Sequence, residues 1–520
     1  MATDFDIAIV GSGFGGSLMA MIARRLGRSV VLLEGGQHPR FAIGESSTPL
    51  ANLLLEELAQ RYGLPRLLPL SKWGSWQKAY PNISCGLKRG FTFYHHTFGA
   101  PWSETPDRAN QLLVAASPHD RIADTHWYRA DFDHFLFREA QAQGVECLEQ
   151  FRLSQPEAVD GGFMLRGERN GKSLAFKARF LIDATGGGGF LDRFDKTPTQ
   201  GFAYLPPTQA LFTHFRGVRR LDEICPLSGE PPYAVDDAAV HHIFKGGWIW
   251  VLRFANGITS AGVAATAELG NELRLQERGR GWEELLKRLP TVAEQFSEAK
   301  VQLPFIHVPQ LSFRRRAAAG VGWARLPSAA GFVDPLLSTG FPLTLLGISR
   351  LAKIIDEDWD LERFHFSLQS YSEQTLKELD TAELMVAALY RSMDDFTLFT
   401  GLSLLYFAAA SFTETARRLG RPELAGSSFL LDEHPLFGPQ SRACFTRALQ
   451  PLGAAEKKDL LAQICETIKP VDIAGLGNQT RRNWFPVEAD DLLRAASKLG
   501  ANETEIRHLL VRCGFNSTPV

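Results

Sequence analysis

The chain has 520 residues, 45 % of them hydrophobic, and a formal net charge of −2 from 56 basic and 58 acidic residues. This composition is ordinary for a globular protein, and the length allows several domains of about 100–200 residues each. A charge so close to neutral argues against nucleic acid or an anionic membrane as the main partner.

Cysteine usage and hydropathy predict a reducing environment. Six cysteines are scattered along the chain without a C-x-x-C pair: Cys85, Cys147, Cys225, Cys444, Cys465 and Cys513. They suggest neither a disulfide framework nor a zinc motif. No secretory signal pattern is recognised, and the stretch nearest to a membrane span, 398–412, is shorter than the about 20 residues required. We therefore predict a cytoplasmic protein without stable membrane insertion or a metal site, in which residues 398–412 form a buried helix.

The segment from Phe5 to Glu34 predicts a dinucleotide-binding unit. An apolar strand over 5–10 leads into G-x-G-x-x-G, then a helix over 17–26 and a second strand over 29–33. The glycines, Gly11, Gly13 and Gly16, suit a tight turn, close approach of a pyrophosphate and packing of helix on strand, while the helix N-terminus attracts phosphates. Glu34, 18 residues after Gly16, can accept a hydrogen bond from a ribose hydroxyl.

The next segments extend this unit and then interrupt it. Thr48 and Pro49 predict the start of a helix that runs to Tyr62. The polar residues before this helix either lie along the cofactor or serve only as a connection between the strand and the helix. Aromatic residues crowd the segment 72–102, with strand-like alternation after Ser84. Adjacent histidines in that strand, at 95 and 96, point to opposite faces, which favours structural roles over metal binding.

Later segments return to the same fold. A helix is predicted over 131–143, and an apolar strand over 180–183 ends in D-A-T-G, which indicates a second cofactor edge. Asn256-Gly257 predicts a hairpin between strands over 248–254 and 258–265. A Gly- and Ala-rich segment then leads into a helix over 341–355 and an almost wholly helical remainder.

The order of these motifs resembles the FAD-binding fold of the aromatic hydroxylases, and most closely the flavin-dependent halogenases and their geranylgeranyl-reductase-like relatives. The likeness covers most of the first 350 residues. Its motifs are P-R-F-A-I-G-E-S at 39–46, Arg129 with Asp133, G-W-I-W at 247–250 and D-P-L-L-S-T-G at 334–340. The G-W-x-W element is the most halogenase-like of these, whereas the others occur more widely among FAD monooxygenases and reductases.

The resemblance implies an α/β protein in three parts: a Rossmann-like FAD-binding domain, an inserted antiparallel β-sheet substrate domain and a helical C-terminal region. We expect the FAD-binding domain over 1–80, 119–200 and 312–350, the substrate-domain sheet over 81–118 and 201–311, and the helical domain over 351–520.

The resemblance also implies a reaction. Reduced FAD, oxygen and chloride or bromide give hypohalous acid, which halogenates an electron-rich aromatic compound. Lys88 matches the family lysine that holds the oxidant, and we expect aromatic neighbours and Arg89 to lower its pKa. The alternative is a solvated lysine in a turn, and Lys78 is a weaker candidate. The resemblance implies that Trp248 and Trp250 screen the channel between flavin and substrate; the alternative is that they simply form the core of a sheet.

The remaining site residues follow by the same likeness. Ser338, Thr339 and Gly340 are implied at the halide and the flavin edge. Cofactor binding is implied for a larger set: Gly11, Gly13, Phe14, Gly15, Gly16, Glu34, Arg40, Glu45, Ser46, Arg129, Asp183, Ala184, Gly186, Ser328, Gly331 and Asp334.

Three departures from the family pattern matter. Pro327 and Ser328 stand where the family has glycine followed by Asp or Asn, which predicts weaker FAD binding. Leu337 replaces the glutamate of tryptophan halogenases, which favours a phenol- or pyrrole-like substrate over free tryptophan. Val251 to Arg253 occupy positions where the G-W-x-W element usually continues to a proline.

Only one dinucleotide motif is present, so we expect a separate flavin reductase to supply reduced FAD. The sequence leaves open whether the substrate is free or carrier-bound. The alternatives are a flavin monooxygenase or geranylgeranyl-reductase-like oxidoreductase acting on an apolar substrate, and a non-catalytic flavoprotein or binding module.

Overall fold

The protein, as a computed structural model, is described for residues 3–195 and 200–515. The strands in chain order are β1 Thr3–Val10, β2 Val30–Leu33, β3 Cys85–Lys88, β4 Gly90–His95, β5 Gln111–Ala115, β6 Asp124–Trp127, β7 Glu146–Leu148, β8 Arg152–Leu153, β9 Glu157–Val159, β10 Gly162–Arg169, β11 Lys172–Asp183, β12 Thr208–Arg216, β13 Ala239–Phe244, β14 Gly247–Arg253, β15 Thr259–Thr266, β16 Lys300–Val301, β17 Ile306–Val308, β18 Phe313–Arg314, β19 Ala319–Gly320, β20 Trp323–Arg325, β21 Gly331–Phe332 and β22 Trp484–Phe485.

The α-helices in chain order are α1 Phe14–Arg25, α2 Pro49–Arg61, α3 Trp73–Ala79, α4 Arg129–Ala142, α5 Asp192–Asp195, α6 Leu221–Ile224, α7 Ala267–Glu272, α8 Gly279–Arg288, α9 Pro290–Gln295, α10 Pro327–Ala330, α11 Gly340–Glu357, α12 Phe364–Arg391, α13 Phe396–Arg418, α14 Gly438–Ala448, α15 Ala454–Ile468, α16 Ala489–Arg494 and α17 Glu503–Arg512. The predicted mixed α/β fold is confirmed.

The first sheet brings the two predicted cofactor edges together. Its central strands run parallel in the order β20-β11-β1-β2-β7, with buried apolar side chains along β1 and β2. Val10 at the end of β1 is the register partner of Asp183 at the end of β11, which in turn pairs with Arg325 of β20. The glycine turn, the D-A-T-G segment and the chain entering α10 therefore leave the sheet at one carboxyl edge, where ligands bind in open α/β sheets.

The second sheet is mostly antiparallel and follows the order β16-β12-β15-β14-β13-β4-β5-β22. The hairpin predicted around Asn256-Gly257 is confirmed, since β14 and β15 pair antiparallel from Gly247↔Ala265 to Arg253↔Thr259. The C-terminal remainder is less uniformly helical than predicted. Trp484 and Phe485 form β22 and pair with β5, because both side chains are buried against this sheet.

The predicted helices lie close to their expected bounds. α2 begins with Thr48 as N-cap, whose side chain accepts a hydrogen bond from Ala51 N, and Pro49 opens the first turn. The stretch 398–412 lies inside α13, which is long and apolar enough to cross a membrane by length and composition alone. Since 78 % of its most apolar window is buried inside the protein, the predicted buried helix is confirmed.

Candidate active site

A cavity of about 910 Å³ lies at the carboxyl edge of the first sheet and reaches the second sheet. It brings together most of the predicted site residues: Gly11, Gly13, Phe14, Gly15, Glu34, Arg40, Glu45, Ser46, Arg129, Ala184, Gly186, Trp248, Trp250, Ser328, Gly331, Asp334, Ser338, Thr339 and Gly340. Gly16, Lys88 and Asp183 lie outside its lining. The Asp183 carboxylate instead accepts hydrogen bonds from Thr185 and from the Leu191 N–H.

The glycine turn is closely packed on one side and open on the other. Gly11 has φ +100°, and a Cβ there would lie 2.6 Å from the Ala184 carbonyl oxygen. A Cβ on Gly16 would lie 1.9 Å from the Gly11 oxygen, so both positions require glycine. α1 then begins at Phe14 without a side-chain cap, so its first N–H groups are available to an anion.

Glu34 is held at the end of β2 as an ionised acceptor. Its Oε2 accepts hydrogen bonds from Ser12 N and Ser12 Oγ, both at 2.9 Å, and from Arg40 Nη2 at 3.1 Å. Gly36 N donates to the other oxygen at 2.8 Å. Burial favours the protonated form, but Arg40 and these donors outweigh it and lower the pKa of Glu34 below its ordinary value.

Arg129 lies beside the glycine turn, where a Cβ on Gly13 would be 3.5 Å from its Nη2. It makes a two-point ion pair with Asp133, with Nε–Oδ1 at 2.7 Å and Nη2–Oδ2 at 2.8 Å. Its Nη1 donates to the carbonyls of Ile43 and Gly44 at 3.0 and 2.8 Å. The ion pair holds the guanidinium group in place on α4, and the two hydrogen bonds from Nη1 tie α4 to the segment 39–46.

Glu45 offers an unused acceptor at the cavity. Its Oε1 lies 2.9 Å from His214 Nε2, and the residue is 2 % exposed. Within residues 3–195 and 200–515, Oε2 has no hydrogen-bond partner. Because a buried carboxylate oxygen without a donor is costly, this oxygen fits an N–H or O–H group of a bound ligand.

Asp334 links the G-W-x-W strand to the segment 334–340. Its Oδ1 accepts from Trp248 Nε1 at 3.2 Å and from Leu336 N at 2.9 Å, while Tyr390 Oη donates to Oδ2 at 2.8 Å. Burial raises the pKa of Asp334 to about 7, against the effect of these three donors. The Trp248 and Trp250 rings share one face of β14, with centroids 5.7 Å apart, and both line the cavity.

The segment 336–340 combines unusual backbone geometry with an open helix end. Leu337 and Ser338 are both left-handed, with φ of 63° and 56°. α11 starts at Gly340, and its N-cap Thr339 makes no side-chain cap hydrogen bond. Because the first N–H groups of a helix lack intrahelical partners and carry positive partial charge, this end can attract an anion.

Lys88 is buried in β3 rather than solvated in a turn, with 0 % exposure. Its Nζ donates to Ser46 Oγ at 2.9 Å and to the Ser47 carbonyl at 2.5 Å, and it lies 3.8 Å from the centroid of the Phe91 ring. Burial lowers the pKa of Lys88, although Asp124 opposes this. Arg89 pairs with Asp120 instead, at 2.7 Å, and Lys78 is exposed.

Asp124 is a neighbour of Lys88 that sequence reasoning missed. Asp124 is the register partner of Lys88 in the β3–β6 ribbon, and its carboxylate accepts a hydrogen bond at 3.0 Å from Asn52 Nδ2. The side-chain oxygen of Asn52, Oδ1, in turn accepts a hydrogen bond from Ser47 Oγ at 2.7 Å. Burial raises the pKa of Asp124. The short D-T-H-W strand carries no motif, so only the pairing of strands reveals this contact.

A second, apolar chamber of about 160 Å³ lies beyond Lys88. Thr48 to Leu50 line it, whereas Glu45 and Ser46 line the first cavity, so this short segment forms part of the wall between them. The chamber is otherwise lined mainly by β4, β5, α13 and the last fifty residues, including Phe91, Val114, Tyr406, Phe407, Phe485 and Phe515.

The first cavity fits a flavin dinucleotide. It has the volume, the uncapped helix over a glycine turn, a carboxylate at the end of β2 and an orphaned acceptor at Glu45. Among residues 3–195 and 200–515, no group of three or more His, Cys, Asp or Glu side chains is arranged to hold a metal ion. The fold and the cavity thus define a protein of the FAD-binding class.

Comparison with known proteins makes this assignment specific. Residues 122–398 match the Tryptophan halogenase family, and the chain belongs to that family. It is 29 % identical over 415 residues to monodechloroaminopyrrolnitrin halogenase PrnC of Pseudomonas fluorescens, covering 77 % of this chain and 70 % of the relative. It is 30 % identical over 379 residues to tetracycline 7-halogenase of Kitasatospora aureofaciens, covering 70 % of this chain and 66 % of the relative.

A solved structure agrees with these relatives. A mutant of halogenase PltM, in complex with FAD, superposes with a TM-score of 0.81 at 25 % identity, covering 92 % of this chain and 99 % of the other. The protein is therefore an FAD-dependent halogenase that uses halide, and this assignment is favoured over a monooxygenase or a geranylgeranyl-reductase-like enzyme.

Proposed function

We propose that this halogenase acts on a single-ring phenol- or pyrrole-like compound in the second chamber, with Lys88 as the catalytic residue that receives the oxidant from the first cavity. The observation that carries the proposal is the position of Lys88. Its ammonium group contacts Ser46, which lines the first cavity, and Phe91, which lines the second.

The surroundings of Lys88 suit this role. A lowered pKa increases the fraction of neutral amine near neutral pH. A neutral amine can take the halogen of hypohalous acid, with a nitrogen–halogen bond formed, the oxygen–halogen bond broken and water released. It can equally hold the acid by a hydrogen bond. In either case we propose that the electrophilic halogen is delivered to the chamber by this side chain.

The size of the second chamber supports a small substrate. Its volume of about 160 Å³ is close to the ~150 Å³ of an engineered apolar cavity that binds benzene. Polar groups at its lining, such as the Glu414 carboxylate, could accept a hydrogen bond from a phenol O–H or pyrrole N–H. The named relatives act on monodechloroaminopyrrolnitrin and on tetracycline, so aromatic compounds are the class to test.

FAD, when bound, supplies the oxidation of halide by oxygen. We propose that the glycine turn and the N-terminus of α1 hold its phosphates, that Glu34 accepts from its ribose, and that Arg129 and Glu45 orient the wall beside it. Ser328 replaces a longer polar residue and would hold FAD less firmly. Ser338, Thr339 and Gly340, at the uncapped start of α11, would bind halide next to the flavin edge.

We propose the three-part division given above, with the FAD-binding domain over 1–80, 119–200 and 312–350. A separate flavin reductase is needed as partner, because a single dinucleotide motif is recognised. A cytoplasmic location is supported by the six cysteines, all of which are free thiols.

The test is bromination with a matched pair of lysine variants. FAD-loaded protein, a generic flavin reductase, NADH, oxygen and bromide are incubated with phenol, pyrrole and indole probes, and products are read by mass spectrometry as the bromine isotope doublet. Lys88→Met should lose the brominated product while keeping FAD and bromide-dependent oxidant release into solution. Lys78→Met, which changes an exposed lysine, should leave the product unchanged. Regiospecific bromination by Lys88→Met would exclude Lys88 as the catalytic residue.

A further inference from the structure

The backbone of the halide segment, residues 334–340, needs support from elsewhere in the fold. Leu337 and Ser338 are consecutive non-glycine residues in the left-handed region, with φ of 63° and 56°. A branched, bulky residue such as leucine rarely adopts this conformation. Such residues persist where the surrounding structure enforces them, and they cluster at functional sites.

Two tyrosines from the long C-terminal helices supply this support. Tyr406 of α13 donates its hydroxyl hydrogen to the Leu337 carbonyl at 2.8 Å. Tyr390 of α12 donates to Asp334 Oδ2, also at 2.8 Å, and the other oxygen of Asp334 accepts from Leu336 N. Both tyrosines are buried, so neither bond competes with bulk water. The halide segment is thus fixed at Asp334 by one helix and at Leu337 by the other.

We infer that Tyr406 is a positioning residue for halide: its hydrogen bond keeps Leu337 and Ser338 left-handed and so sets the direction of the backbone groups from Ser338 to Gly340. This inference rests on the proposed halide site. Tyr406 acts through Leu337 and is not assigned any contact with the halide itself.

The position of Tyr406 allows its hydroxyl to be tested alone. Its ring is near that of Phe407, with centroids 5.2 Å apart, and the side chain lines the second chamber, while its hydroxyl donates to the Leu337 carbonyl. Tyr406→Phe therefore keeps the chamber wall and removes one oxygen atom. The buried Leu337 carbonyl then has no replacement donor in the same place, which favours a change in backbone conformation.

Tyr371 offers a matched control. It is on α12, is 2 % exposed like Tyr406, and donates its hydroxyl hydrogen to a backbone carbonyl, that of Arg325, at 2.7 Å. Tyr371→Phe removes the same kind of bond from a different part of the fold. Any general loss of stability should therefore be similar in the two variants.

The experiment titrates oxidised, FAD-loaded protein with bromide and follows flavin fluorescence, and separately measures kcat and the KM for bromide. We expect Tyr406→Phe to raise both the Kd and the KM for bromide about tenfold, as for the loss of one buried hydrogen bond, while kcat at saturating bromide is retained. Tyr371→Phe should leave bromide affinity at the wild-type value. Equal bromide affinity in Tyr406→Phe and wild type, or equal losses in both variants, would overturn the inference.

A glycine background provides an independent comparison. Leu337→Gly removes the steric cost of the left-handed conformation, so Tyr406→Phe should weaken bromide binding less in this background than in the wild type. An undiminished effect would contradict the inference. Wild-type protein without saturable bromide binding would overturn the halide site and this inference together. Failure of the Lys88 assignment would leave the bromide titration, and the inference, unaffected.

Discussion

Replacing Asp334 by asparagine tests the electrostatics of the halide segment most directly. Asparagine has the same shape, and its Oδ1 can still accept from Trp248 Nε1 and Leu336 N. Its Nδ2 can donate to the oxygen of Tyr390, which then changes from donor to acceptor. Asp334→Asn therefore removes a buried titrating charge with little change in packing.

The magnitude follows from the pKa of the carboxyl. Burial raises it from 3.8 to about 7, so the folded protein binds more protons than the unfolded chain between these values. The contribution of this group to the free energy of unfolding is therefore greatest below pH 3.8, and it decreases as the pH rises to about 7. At about 1.36 kcal/mol per pH unit, the loss is about 2 kcal/mol at pH 5.5 and about 4 kcal/mol at pH 8.5.

The assay compares the free energies of unfolding of Asp334→Asn and wild type in urea at pH 5.5 and pH 8.5. The advantage of the variant should grow by about 2 kcal/mol between the two values, whatever the constant cost of the Tyr390 exchange. Asp360→Asn, with a side chain 69 % exposed, is the control and should change by less than ~0.5 kcal/mol. A difference for Asp334→Asn that does not vary with pH would refute the reasoning.

The glycine turn, the Arg129–Asp133 ion pair and Asp334 each give one further prediction. Gly16→Ala should lose FAD, read from the flavin absorbance of purified protein, because its Cβ would lie 1.9 Å from the Gly11 oxygen; retained FAD would contradict this. Arg129→Met should cost about 3–5 kcal/mol in urea, since Asp133 is left as an unpaired buried charge; its control, Arg166→Met, breaks only an exposed pair and should cost at most ~1 kcal/mol. The KM for bromide should rise as the pH increases to about 7, because the ionised Asp334 carboxylate repels a halide anion bound to the same segment. In Asp334→Asn the KM for bromide should not vary with pH over this range.

The features that could be predicted from the sequence are those determined by residues adjacent in the chain. The glycine turn, the N-cap at Thr48 and the hairpin at Asn256-Gly257 each depend on a few adjacent residues whose backbone preferences are strong. Lys88 was predicted only through resemblance, and Arg89 was expected beside its ammonium group. In the fold Arg89 points to Asp120, because neighbours in an extended segment face opposite ways.

What the sequence did not reveal depends on distant segments. Asp124 meets Lys88 through strand pairing, and Tyr406 meets Leu337 although 69 residues separate them. Neither contact leaves a local pattern, since a buried tyrosine in an apolar helix such as α13 is also expected from core packing alone. β22 was missed for the same reason, because a two-residue strand is defined by its partner β5 and not by its own periodicity.

The segment from Glu45 to Leu50 connects these long-range contacts to the proposed reaction. The sequence left open whether the residues before α2 follow the cofactor or merely connect, and in the fold the segment separates two cavities. In the proposed mechanism, an oxidant made beside the flavin and an aromatic ring in the second chamber would face opposite sides of this segment. Lys88 donates to Ser46 and Ser47 within this segment and covers the Phe91 ring. The role that we propose for Lys88 requires a side chain that is stable when buried and can carry halogen. An amine with a lowered pKa meets both requirements, whereas a permanently charged arginine would not.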